Sequence, residues 1–241
     1  MIPKVIHQTW KTGNLPENFK KLHIKIKKLH PEWVIKLWTD EDNLQLVKQY
    51  FPHLVNIYEA LEYNIMRADI IRYMYMYQFG GYYLDLDYEV LTPFDNETSE
   101  PDLMLPISNT ENGCVVLGNS IFGSIPHHIF WKDVLNDFHQ TPPIKKFFNK
   151  FEVLKLTGPD FISKIYFKNP QKYNAYLVPK SIYHPDNTLI NNPNYRRNLR
   201  DIGARGIHHC EGSWLKENNS IMNIVSRANS SVKRRLSSLI K

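Results

Sequence analysis

An apolar helical run ending at Phe79 is followed at once by Gly80-Gly81-Tyr82-Tyr83-Leu84-Asp85-Leu86-Asp87. Glycines at this point permit the left-handed backbone with which many helices end. The residues after them read as a strand. Side chains alternate between the two faces of a strand, so Leu84 and Leu86 are expected on one side and Asp85 and Asp87 on the other. Two carboxylates on one face repel unless a cation sits between them. A divalent metal with oxygen ligands is the usual solution. The expected order is helix, tight turn, strand, metal site.

The helix before the glycines carries Arg67-Ala68-Asp69-Ile70-Ile71-Arg72-Tyr73. Asp69 and Arg72 are three apart and share a helix face. As a surface ion pair they would contribute little. Ile70, Ile71, Met74 and the tyrosines make most of the remaining surface apolar, however. A charged pair on such a helix is expected to line a polar cleft.

The rest of the chain alternates strand and helix signals, which predicts an α/β layered fold. Residues 3–8, 33–38, 102–107, 113–117, 176–179 and 206–209 read as strands. Helices are predicted over 17–29, after a cap at Thr39 or Asp40, as two segments from 53 to 79, over 126–139, after Pro143 and over 157–167. Residues 184–203, rich in Asn, Pro and Arg, read as a loop. In open α/β sheets ligands gather beyond the carboxyl ends of strands, where Asp85 and Asp87 fall.

Three segments together resemble one family. Arg67-Ala-Asp-x-x-Arg-Tyr followed by Gly80-Gly-x-Tyr-x-Asp-x-Asp is similar to the sugar-binding region of glycosyltransferase family 32. Ile2-Pro3-Lys4-Val5-Ile6-His7-Gln8-Thr9-Trp10 resembles its opening strand, and His208-His209-Cys210-Glu211-Gly212-Ser213-Trp214 its closing motif. The resemblance implies a single GT-A type nucleotide-sugar-binding domain, a central mixed sheet flanked by helices, over residues 1–225. It implies metal-dependent, configuration-retaining transfer of a hexose to a glycan, glycolipid or protein, as in polysaccharide biosynthesis. The donor would be a UDP-hexose or GDP-mannose, and the cofactor Mn²⁺ or Mg²⁺. By the same likeness Asp85, Asp87 and His209 would hold the metal, with His208 as the alternative to His209. Trp10 would stack on the base, and Thr39 and Asp40 would reach base or ribose. Asp69 and Arg72 would hold the donor sugar, with Asn119 near the reacting centre. Gly212, Ser213 and Trp214 would cover the pyrophosphate. Asp69, Arg72, Asp85 and Asp87 are the catalytic candidates.

Charge bears on the competing readings. Residues 226–241 hold five basic residues and no acidic one, leaving 25 basic against 24 acidic elsewhere. The excess is terminal rather than spread over a folded face, which speaks against a nucleic-acid binder. A metal-dependent hydrolase or nuclease using Asp85 and Asp87 would be expected to gather more carboxylates. Val232, Leu236, Leu239 and Ile240 recur beside Lys233, Arg234, Arg235 and Lys241, so the tail is expected to contact an anionic membrane surface peripherally. Two cysteines, Cys114 and Cys210, form no disulfide framework, and Cys210 reads as a small packing residue. With no leader-like start and no long apolar run, a cytoplasmic enzyme is expected.

Overall fold

The computed structural model describes residues 1–94, 101–111, 114–143 and 150–212. Residues Met1–Cys210 form one compact unit, and Glu211–Lys241 a second, of which only Glu211 and Gly212 are described. Ser213, Trp214, the 225/226 boundary and the basic tail lie outside the described residues, as does the segment directly after Pro143.

In chain order the elements are β1 (Val5–Thr9), α1 (Glu17–Leu29), β2 (Val34–Trp38), α2 (Asp40–Tyr50), α3 (Val55–Ala60), α4 (Asn64–Phe79), β3 (Gly81–Leu84), β4 (Tyr88–Val90), β5 (Leu103–Glu111), β6 (Cys114–Leu117), β7 (Ile121–Ser124), α5 (Ile129–Gln140), α6 (Lys150–Leu156), α7 (Pro159–Lys168), β8 (Ala175–Val178), α8 (Lys180–Tyr183), α9 (Pro193–Asp201) and β9 (Gly206–His208). The central sheet runs β2-β1-β3-β7-β5-β6, with β8 also paired to β5. β1 is parallel to β2 and β3, and β7 is antiparallel to β3. The sheet is therefore mixed.

This topology gathers distant residues at one edge. The carboxyl ends of β1, β2 and β3 and the amino end of β7 lie together. Trp10, Thr39, Asp85 and Asn119 each follow or precede one of those ends.

Alternation then sorts the core. Tyr83, Leu103, Leu105, Leu117 and Phe122 face a cluster shared with residues of α2–α7. Tyr82, Leu84, Met104 and Ile121 face the opposite cluster, with Ile26 of α1 and Tyr88 and Val90 of β4. Both faces are buried, so the central strands read as near-continuous apolar runs.

Several elements differ from the sequence reading. β7 was not anticipated, because Ile121-Phe122-Gly123-Ser124 is short and carries a glycine. Gly123 is needed there: a Cβ would stand 2.8 Å from the Tyr82 ring. The presumed loop at 184–203 contains α9, whose start is capped by Asn192 Oδ1 accepting from Asn194 and Tyr195 N–H. Thr39 does cap α2, in a reciprocal box with Asp42.

The strand expected to carry both aspartates stops at Leu84. Asp85 N–H still donates to Ser120 O at 2.8 Å, but Tyr88 N–H then folds back onto Asp85 O at 3.1 Å. Asp85-Leu86-Asp87-Tyr88 is thus a turn between the sheet and a separate β4–β9 ribbon. Gly80 and Gly81 have φ 63° and 84°. Gly80 combines its positive φ with ψ −151°, so the helix ends in an extended, glycine-specific conformation rather than a left-handed helical one.

Candidate active site

The turn brings Asp85 and Asp87 together by a route other than strand alternation. β4 pairs antiparallel with β9 in the register Tyr88↔His208, and His209 N–H donates to Asp87 O at 3.0 Å. The end of β9 is thereby fixed against the aspartate turn. His208 Nε2 lies 3.1 Å from Asp87 Oδ1 and 3.7 Å from Asp85 Oδ2. Ligand atoms of Asp85, Asp87 and His208 all lie within 4.8 Å of one another.

The expected third ligand, His209, is not in this group. Its Nε2 faces Glu89 Oε2 at 3.1 Å instead. Neighbours in extended chain point to opposite sides, and the β4–β9 register selects His208. Asn187 Nδ2 donates to the carbonyls of both histidines, at 3.0 and 3.3 Å, and holds the segment down.

Burial alone would disfavour a charged His208. Hydrogen bonds to Asp87 and Cys210 and the charges of Asp87 and Asp85 outweigh that and raise its pKa to about 10. The two carboxylates thus favour the protonated, cationic form of this imidazole. Two carboxylates and an imidazole are ligand types that divalent ions take. The donor set fits a divalent ion.

Asp69 and Arg72 form the second layer. Both are 3% exposed. Arg72 donates from Nε to Ala68 O at 3.0 Å, and from one terminal nitrogen to Asp85 Oδ1 at 3.0 Å and Asn119 O at 2.7 Å. Its other terminal nitrogen lies 3.2 Å from Asp69 Oδ1. The guanidinium also stacks 4.6 Å from the Tyr83 ring centre, and Tyr83 Oη donates to Asp85 Oδ1 at 2.6 Å. Asn119 Nδ2 and Thr157 Oγ1 each donate to Asp69 at 3.0 Å.

Burial pushes the Asp69 carboxyl up to about 7, against the opposing pull of Arg72 and Thr157. Burial raises Asp85 as well, again opposed by Arg72 and helped by the charge of Asp87. The charged pair predicted to line a cleft thus sits beneath Asp85 and buttresses it.

The remaining predicted residues are scattered around this centre. Trp10 is half-buried at the end of β1, edge-on to Phe19 with ring centres 5.2 Å apart. The Thr39 hydroxyl is engaged in the α2 cap, and Asp40 is the first residue of that helix. Gly212 has φ 56°. Cys210 is exposed rather than packed. Its φ is 54°, and its Sγ lies 3.2 Å from His208 Nδ1.

Reading the sequence missed Thr157, Asn187 and Glu89. Thr157 and Asn187 belong to no spacing pattern that marks chemistry, and Glu89, though it continues the spacing of Asp85 and Asp87, was given no task. Glu89, two residues beyond Asp87, collects Lys25 at 2.8 Å, Arg196 at 2.6 Å and His209 at 3.1 Å. Tyr83 stood in the motif but had no assigned task.

Residues 16–104 match the family described as glycosyltransferase sugar-binding region containing DXD motif. The chain is 32% identical over 192 residues to inositol phosphoceramide mannosyltransferase 2 of Schizosaccharomyces pombe, covering 79% of this chain and 52% of that protein. It is 32% identical over 187 residues to mannosyl phosphorylinositol ceramide synthase SUR1 of Saccharomyces cerevisiae, covering 75% and 45%. It therefore spans about half the length of these relatives. Among solved structures it superposes on PaToxG glycosyltransferase with TM-score 0.54 at 20% identity, covering 82% of this chain and 76% of that one. That likeness concerns the fold.

Proposed function

We propose, from the premise that the chain belongs to the glycosyltransferases whose sugar-binding region contains the Asp-x-Asp motif, that it moves a hexose from a nucleoside diphosphate sugar to a membrane lipid head group. Mannose is the sugar and an inositol phospholipid the acceptor that the relatives' names suggest. The observation that carries the reading is one continuous network: Asp87 and His208 with Asp85, and behind them Arg72, Asp69, Asn119 and Thr157.

Asp85, Asp87 and His208 would hold the divalent ion. When bound there, the ion supplies positive charge that stabilises the leaving diphosphate. Arg72 fixes the Asp85 carboxylate from beneath and brings a second positive charge to the site. Asp69 holds Arg72 and Asn119 in place, since its own oxygens already accept from both and from Thr157. Trp10, at the same sheet edge, offers an aromatic surface for a nucleobase.

Glu89, the carboxylate that follows Asp87 at the same spacing, is engaged elsewhere. Glu89 is held by three cationic or imidazole groups. A same-face displacement is favoured on that ground. The anomeric C–O bond to phosphate breaks, the acceptor oxygen bonds to the same face of that carbon, and its proton passes to the departing phosphate.

Incubating the protein with UDP-glucose, UDP-galactose, UDP-N-acetylglucosamine and GDP-mannose in the presence of Mn²⁺ tests the reading. Release of nucleoside diphosphate is expected to be greatest with GDP-mannose and lost in Asp87→Asn. No release with any donor would overturn it. Release without transfer to phosphoinositol lipid would move the acceptor to another class.

A further inference from the structure

Helix α1 buries Phe19, His23 and Ile26 and lies against β4. With 3.6 residues per turn, Glu17, Lys20, Lys21, Ile24, Lys27 and Lys28 share its outer side. All six are exposed, and Ile24 retains 41% of its surface. None of the four lysines forms an ion pair among the described residues. Glu17, in the first turn, is the one acidic member of this face. Lys25, on the flank, turns inward to Glu89 Oε1 at 2.8 Å. The Lys25–Glu89 ion pair thus joins the charged helix to the strand that begins one residue after Asp87.

An ordinary solvated face mixes charges of both signs, and this one sets four lysines around an isoleucine. We propose that the outer face of α1 docks on an anionic lipid bilayer and holds the Asp85–Asp87 turn beside the head groups. Lysines contact the lipid phosphates while Ile24 enters the interfacial layer. A nucleic acid is a poorer fit, because the face has no aromatic or arginine side chain to stack on bases. The purpose of the docking rests on the lipid-acceptor reading above. The docking itself does not, and neither does its test.

Flotation of the full-length protein is compared on vesicles of phosphatidylcholine alone and of phosphatidylcholine with phosphatidylserine, without any sugar donor. Two variants accompany it. One carries Lys20→Gln, Lys21→Gln, Lys27→Gln and Lys28→Gln. The other removes the same charge through Lys48→Gln, Lys132→Gln, Lys155→Gln and Lys168→Gln, on helices α2, α5, α6 and α7. The protein and the second variant are expected to float only with phosphatidylserine, and the α1 variant to lose at least roughly tenfold in apparent affinity. Matched thermal melting and unchanged donor hydrolysis would show that the α1 variant remains folded.

Equal losses in both variants would reduce the effect to net charge and overturn the proposal. Full retention by the α1 variant would assign any binding to another surface, such as the basic tail. Absence of flotation by the parent protein, or binding to an RNA probe but not to vesicles, would also overturn it. Donor hydrolysis is read separately, so failure of the transferase reading leaves the flotation result intact.

Discussion

His208 Nε2 lies 3.1 Å from Asp87 Oδ1, whereas the adjacent His209 turns to Glu89. The two side chains should therefore respond differently to removal. His208→Ala is expected to weaken Mn²⁺ binding by more than about 100-fold, beyond the roughly 10–100-fold typical of an outer partner. His209→Ala should leave that affinity within about tenfold. Isothermal titration with Mn²⁺ measures both, and the opposite order would give the ligand role to His209. Thr157 supplies a subtler test. Its hydroxyl donates to Asp69 Oδ2 at 3.0 Å, and Thr157→Val leaves a buried carboxylate oxygen short of a donor, at about 1–3 kcal/mol. Turnover is expected to fall about tenfold or more with Mn²⁺ affinity unchanged, and Thr157→Ser should restore it. A Thr157→Val enzyme with normal kcat would make the residue a packing detail. Asp69 and Arg72 were readable as neighbours because three residues separate them on one helix face, and Asp85 and Asp87 as a pair, although a turn rather than strand alternation joins them. Thr157 was not, since a lone hydroxyl 88 residues from Asp69 leaves no local trace. The histidine pair was legible as a pair, and only the β4–β9 register decides between its members.

At the level of elements, the junction between α4 and β3 carries the strictest demand. A Cβ on Gly81 would stand 2.3 Å from Val5 Cγ1 and 2.6 Å from Val5 O. Gly81→Ala is expected to cost about 1–3 kcal/mol from the positive φ alone, and more from the collision with β1. Urea denaturation should show a lowered midpoint, and an unchanged midpoint would mean that β1 and β3 are not so closely apposed. The double glycine was visible in sequence, and so were α1 by its apolar spacing, β2 by its short apolar run, α2 by its cap and α4 by its long apolar run. The turn after Leu84 was not. Alternating Leu and Asp looks the same whether the backbone continues straight or folds back. What ends the strand is pairing: Ser120 O takes the Asp85 N–H, and beyond it Tyr88 finds its partner in β9 rather than in the sheet. Helix α9 was hidden for a related reason, because its composition is that of a loop while Leu199 alone is buried on it.

Across the whole molecule, Glu89 joins segments that are far apart in the chain. Lys25 comes from α1, Arg196 from α9 and His209 from the end of β9. Burial would raise the Glu89 pKa, but hydrogen bonds from His209, Arg196 and Lys25 hold it well below its ordinary 4.5. A depressed folded-state pKa contributes stability that is present above the unfolded value and is lost as pH falls through the folded one. Stability should therefore decline as pH drops below about 4.5. Glu89→Gln is expected to be less stable near neutrality by about 1–2 kcal/mol, a modest figure because both cations are partly exposed. Its loss on acidification should be shallower. Denaturation series at several pH values measure the two slopes, and parallel slopes would remove Glu89 from the acid response. The sheet edge that gathers Trp10, Asp85 and Asn119 is built early in the chain, but His208 lies 121 residues beyond Asp87. A ribosome releases the aspartate turn long before it releases β9. The nascent polypeptide can pair the early strands of its sheet, yet the Asp85–Asp87–His208 cluster stays incomplete until nearly all of the compact unit has been translated. On the proposed reading, a divalent ion would meet its full donor set only after β9 has paired with β4, so chains cut short before His208 would lack that set.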